Sequence, residues 1–156
     1  MNIPLVYEYL IYVAAIIVGI VLLIFLRRAS KLPTHQKLQE RMAAHLQDMD
    51  GYVTSLREGK ETGVRFFKKI SKLLYTTDKL IYAASALARK ERDTDIDNVS
   101  VLLEKTRNDL LPYKYGKREQ YDLAGMEQAS RELRAALDVM RDVLARDEQL
   151  KARSAK

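Results

Sequence analysis

VRFFKKISKLLYTTDKLIYAASALARK, residues 64–90, reads as one long amphipathic helix. Phe66, Ile70, Leu73, Thr77, Leu80 or Ile81, Ala84 and Leu87 recur at spacings of three and four, which places them on one helical face. A face of that length needs other helices to cover it, and the neighbouring sequence supplies them. Upstream, Pro33 breaks the chain and Thr34 caps a segment in which Leu38, Met42, His45, Met49, Tyr52 and Leu56 repeat with the same period. It ends at the polar turn REGKETG, residues 57–63, and Asp50-Gly51 interrupts it only weakly.

Downstream, TDID at residues 94–97 predicts a threonine-capped helix with Ile96, Val99, Leu103, Thr106 and Leu110 inward and Pro112 as its stop. A fourth helix is expected from near Arg118 to about Leu150, with Met126, Leu133, Leu137, Met140 and Leu144 inward. Glu127–Arg131 and Asp142–Arg146 are spaced to pair along it. No segment alternates with period two, and no Gly-rich phosphate loop occurs. The class is all-α. The turns predict an antiparallel three- to four-helix bundle whose heptad-like faces would also suit a coiled coil between chains.

Ahead of this domain, Leu5 to Leu26 are 22 residues whose only charge is Glu8. As a helix they would reach ~33 Å, enough for a hydrocarbon layer of ~30 Å. Basic residues follow the run instead of preceding it, so it reads as an uncleaved anchor and not a cleaved signal peptide. Arg27, Arg28 and Lys31 flank its C-terminal end, which predicts an external N-terminus at the cell membrane and a cytoplasmic C-terminal part. The expected order is an external 1–4, a single-pass transmembrane helix over 5–26, a basic juxtamembrane linker over 27–34 and a cytosolic helical domain over 35–156. Glu8, among Tyr7, Tyr9 and Tyr12, reads as an interfacial carboxylate, with pairing to a partner helix as its alternative. Ala15 and Gly19 form a small-xxx-small pair of the kind that lets helices approach.

Composition narrows the chemistry. The chain has 27 Lys+Arg, 21 Asp+Glu and no cysteine, which excludes disulfides, thiol catalysis and Cys-based metal sites. The mild basic excess of the soluble part argues against a nucleic-acid binder. The only two histidines, His35 and His45, point ~80° apart on their helix and fit no metal or catalytic motif. No catalytic residue and no cofactor is therefore expected, and the chain is read as non-enzymatic.

Two candidate sites remain. DTDIDNVSVLLE, residues 93–104, sets Asp93, Asp95, Asp97 and Glu104 at positions 1, 3, 5 and 12, the oxygen-ligand spacing of a calcium loop. Asn98 stands where such a loop has glycine, and a capped helix start explains the same residues. The stronger candidate joins the turn after the first soluble helix to PYKYGKREQY, residues 112–121. Hairpin logic sends both to the same end of the bundle, bringing together Lys60, Arg65, Lys68, Lys69, Tyr113, Lys114, Tyr115, Lys117 and Arg118. Aromatic rings among cations suit an acidic protein surface. The expected partners are the membrane itself, a protein or a second copy of the chain, and anionic headgroups near the anchor. The expected role is a membrane-tethered adaptor or scaffold, with a self-associating coiled coil or a calcium-responsive module as alternatives.

Overall fold

The computed structural model describes residues 12–22, 32–60, 63–119 and 122–154. The chain divides after Leu32 into two units. In the first, residues 12–22 form a helix, α1, whose apolar side chains, Ile16, Val18 and Val21 among them, are exposed. The ends of the expected span, together with Glu8, Arg27, Arg28 and Lys31, lie outside the described residues. Among the described residues no helix is long and apolar enough to cross a membrane.

The second unit consists, among the described residues, of helices α2 (His35–Arg57), α3 (Val64–Glu91), α4 (Thr94–Lys114) and α5 (Ala124–Ser154). Each packs antiparallel on its neighbours in the ring α2–α3–α4–α5, an up-and-down four-helix bundle. Most of the expected inward positions are the observed ones: Leu38, Met42 and Met49 meet Ile70, Leu73, Ile96, Leu103, Leu110, Met126, Leu133 and Met140 in one core, while Leu56 and Leu144 are half-buried and Val143 takes the core position near the end of α5.

Local chemistry sets the boundaries. Thr34 Oγ1 accepts from the Lys37 N–H at 3.3 Å and starts α2 as expected. Several boundaries differ from the sequence expectation. Arg92 ends α3 in the left-handed region (φ 55°), which leaves Asp93 extended. Asp93, not Thr94, is therefore the cap of α4, its Oδ1 accepting from Asp95 N at 2.8 Å and Ile96 N at 3.3 Å. Pro112 does not stop α4. It lies in the last turn, where it deletes only its own N–H, and Tyr115 N still reaches Leu111 O at 3.2 Å.

The fourth helix starts later than Arg118, at Ala124, because Gly116 and Asp122 shape the turn before it. Gly116 takes φ 66° there, and Asp122 Oδ1 accepts from Ala124 N at 3.2 Å. The two pairs expected along α5 give way to partners on other helices. Glu127 holds Arg57 of α2 at 2.6 Å, and Arg146 reaches across to Asp93 and Asp95 of α4. Asp50 of α2 likewise binds Ser130 and, at 2.9 Å, Arg134 on α5.

Candidate partner-binding surface

The antiparallel ring sorts the helix ends into two groups. At one end, His35 of α2 sits between Glu91 of α3 (Nε2 to Oε2, 2.7 Å) and Asp147 of α5 (Nδ1 to Oδ2, 2.6 Å). Both bonds form together when both ring nitrogens carry protons. Arg146, Asp93 and Asp95 lie nearby, with Arg89, Lys90 and Arg92 at the end of α3 and Lys151 and Arg153 at the end of α5.

At the other end the turn after α2 and the turn after α4 are neighbours, as the hairpin argument expects. Phe66 at the start of α3 packs against Tyr113 at the end of α4, with centroids 6.1 Å apart, and against Tyr52 at 6.2 Å. Around this aromatic joint, Arg65, Lys68, Lys114 and Lys117 are exposed and outside the ion pairs formed among the described residues. Three large apolar side chains stand open among them: Val64 at 84%, Phe67 at 48% and Tyr115 at 66% exposure. Cations interleaved with exposed rings can steer and then hold an acidic surface.

Not every expected member belongs to that tip. Tyr113 is fully buried, its hydroxyl donating to Asp122 O and accepting from Met126 N at 3.1 Å. It positions the turn and cannot touch a partner. Arg118 lies across it, 5.8 Å from the ring and 3.8 Å from Asp122 Oδ2, which turns its guanidinium inward over Gly125. Lys60 is tied to Glu58. Lys69 faces a different surface, over the Tyr52 ring at 5.7 Å.

That surface is a groove of about 1010 Å³ between α2 and α3. It is lined by Arg41, Lys69, Tyr75, Lys79 and, at its floor, His45. His45 is 3% exposed and its Nε2 meets Thr77 Oγ1 at 2.9 Å, a core histidine as its heptad position implies. Burial pushes it down to about 4, with Asp48 pulling weakly the other way. The sequence marks the α3 cations of this groove as a stripe, but it does not show that α2 stands off far enough to leave a channel beside them.

The calcium spacing is not drawn into a loop. Asp93 caps α4, Asp95 and Asp97 follow inside it, and Glu104 lies eleven residues along, ~16 Å from the cap. Burial raises the Asp93 carboxyl, but the N–H groups of Asp95 and Ile96 and the Arg146 guanidinium outweigh it and hold the group below the usual range. Asp93 and Asp95 are already engaged, by a helix end and by Arg146. Among the described residues no group of three or more His, Asp or Glu is placed to hold a metal ion.

No family model matches the chain, and no curated protein or solved structure matches it either.

Proposed function

We propose that this chain is a non-enzymatic, single-pass membrane adaptor whose cytosolic four-helix bundle holds a protein partner at its basic-aromatic tip. The observation that carries this reading is the set Arg65, Lys68, Lys114 and Lys117 around exposed Phe67 and Tyr115, drawn from two helix ends and the turn that follows. Four cations outside the ion pairs formed among the described residues, with open rings beside them, are what an acidic protein surface would complement. The apolar run from Leu5 to Leu26 supplies the tether, and Arg27, Arg28 and Lys31 orient it with the bundle in the cytoplasm. A cation at the His35 end would add up to ~1 kcal/mol wherever it reaches an anionic headgroup.

Self-association as a structural coiled coil has less support, because one chain already closes the inward faces of its own four helices. Two experiments test the reading. Alkaline extraction of native membranes should leave the protein in the pellet, and release into the supernatant would refute the tether. Crosslinking the full-length protein in its native membrane should then recover a stoichiometric partner. Arg65→Glu, Lys68→Glu, Lys114→Glu and Lys117→Glu combined should reduce its recovery at least tenfold with helicity intact; undiminished recovery would refute the tip.

A further inference from the structure

We propose that the groove between α2 and α3 is a second docking site, shaped for an acidic amphipathic helix of a partner protein. It lies along the side of the bundle and does not depend on the tip. Its walls run from Arg41 to Ser55 on α2 and from Lys69 to Ala83 on α3. The fourteen residue-to-residue rises on each side make a channel ~21 Å long, the length of about four helical turns.

Several of the side chains along it are small: Ala44, Gly51 and Ser55 come from α2, with Thr76 and Ala83 from α3. Gly51 is the informative one. It sits inside a helix, where glycine is unfavourable, and it is not among the glycines of positive φ. A Cβ built on it would meet nothing within 4 Å, so the packing of this chain does not require glycine there. A glycine facing an open channel permits another backbone to approach closely, which gives the residue a use in a complex.

Charge selects the occupant. Arg41, Lys69 and Lys79 line the channel, and the acid among its lining residues, Asp48, is within 3.8 Å of Lys72 at the rim. Lys79 lies over the Tyr75 ring at 4.3 Å and Lys69 over Tyr52 at 5.7 Å, so the cations rest on aromatic walls. Tyr75, 60% exposed, adds apolar contact area. A helix with small or apolar residues on one face and Asp or Glu flanking them would satisfy both features, as in other helix-in-groove complexes. A basic helix would be repelled.

The test is a displayed library of 14-residue amphipathic helices whose polar faces vary in charge, selected on the full-length protein in nanodiscs. The expected result is enrichment of acidic polar faces. A synthetic enriched peptide should bind at least tenfold more weakly to Gly51→Leu, which fills the channel, and to Lys69→Glu/Lys79→Glu, each checked for unchanged helicity. Failure to enrich any pool, enrichment without acidic bias, or binding indifferent to both variants overturns the proposal. Loss of binding in Lys114→Glu/Lys117→Glu but not in the groove variants would move the acidic ligand to the tip and also overturn it. Dimerisation of the wild type that Gly51→Leu abolishes would assign the channel to a second copy of the chain and overturn the acidic-helix assignment.

Discussion

His45 on α2 donates a hydrogen bond from Nε2 to Thr77 Oγ1 on α3, 2.9 Å across the floor of the groove. The direction follows from Thr77, whose single hydroxyl proton is already given to Leu73 O at 2.9 Å. A neutral imidazole in one tautomer thus links the two helices, and protonating it would place a charge in a nearly dry site.

Acid should therefore loosen the bundle through this residue. The folded pKa of about 4 lies below the ordinary histidine value of 6.5. Below pH 6.5 the unfolded chain takes up the proton first. Stability is then fully present above that pH, falls at ~1.4 kcal/mol per unit, and has lost about 3 kcal/mol near pH 4. Urea denaturation at pH 7, 6 and 5 should show this slope as the difference between wild type and His45→Leu. Parallel curves for the two proteins would contradict it.

Tyr113 should behave as a joint of the fold and not as a contact residue. Tyr113→Phe removes the acceptor of Met126 N and the donor to Asp122 O, and should cost about 1–3 kcal/mol. A Cβ on Gly125 would lie 2.8 Å from the same hydroxyl and 1.7 Å from Arg118 Nη1. Gly125→Ala should likewise destabilise by about 1–3 kcal/mol through overpacking. The double variant should lose less than the sum, since both act on one oxygen. Denaturant midpoints of the four proteins complete the cycle, and strict additivity would refute the shared contact.

Gly51→Ala should do the opposite. With open space around the new methyl group, the substitution gains about 1 kcal/mol of helix propensity. A raised melting temperature is the expected reading. A lowered one would mean that the glycine serves the isolated bundle after all.

At the far end, a cap and an exposed ion pair can be separated by salt. Asp93→Ala removes the acceptor of Asp95 N and Ile96 N together with the Arg146 ion pair, and the capping part of its cost, ~1 kcal/mol, should persist in molar salt. Arg146 is 44% exposed, so Arg146→Ala should cost less than ~1 kcal/mol, and that loss should vanish in molar salt. A cost of Asp93→Ala that also vanishes in molar salt would contradict this division.

The helical faces were legible because burial follows a local period. Phe66, Ile70, Leu73 and Thr77 are spaced for one face and are buried on it, as are Ile96, Val99, Leu103 and Thr106 on α4. Boundaries were less legible where a backbone turn competed with a side-chain signal. Thr94 and Asp93 both suit a cap, and the left-handed Arg92 decides between them. Pro112 looks like a stop from its missing N–H, yet that costs little in a last turn.

The amino-acid order thus sufficed for the helical class, the inward positions and the meeting of two turns at one end, because each rests on spacing along a single helix or on hairpin connectivity. It could not divide the tip residues by role. Tyr113 and Tyr115 are two positions apart with the same chemistry, but one is sealed by Asp122 and Met126 while the other stands open. Nor could it reveal the groove, since the distance between α2 and α3 depends on how all four helices share the core. Burial and clearance arise between elements distant in the chain, and that is why they appear only once the bundle has closed.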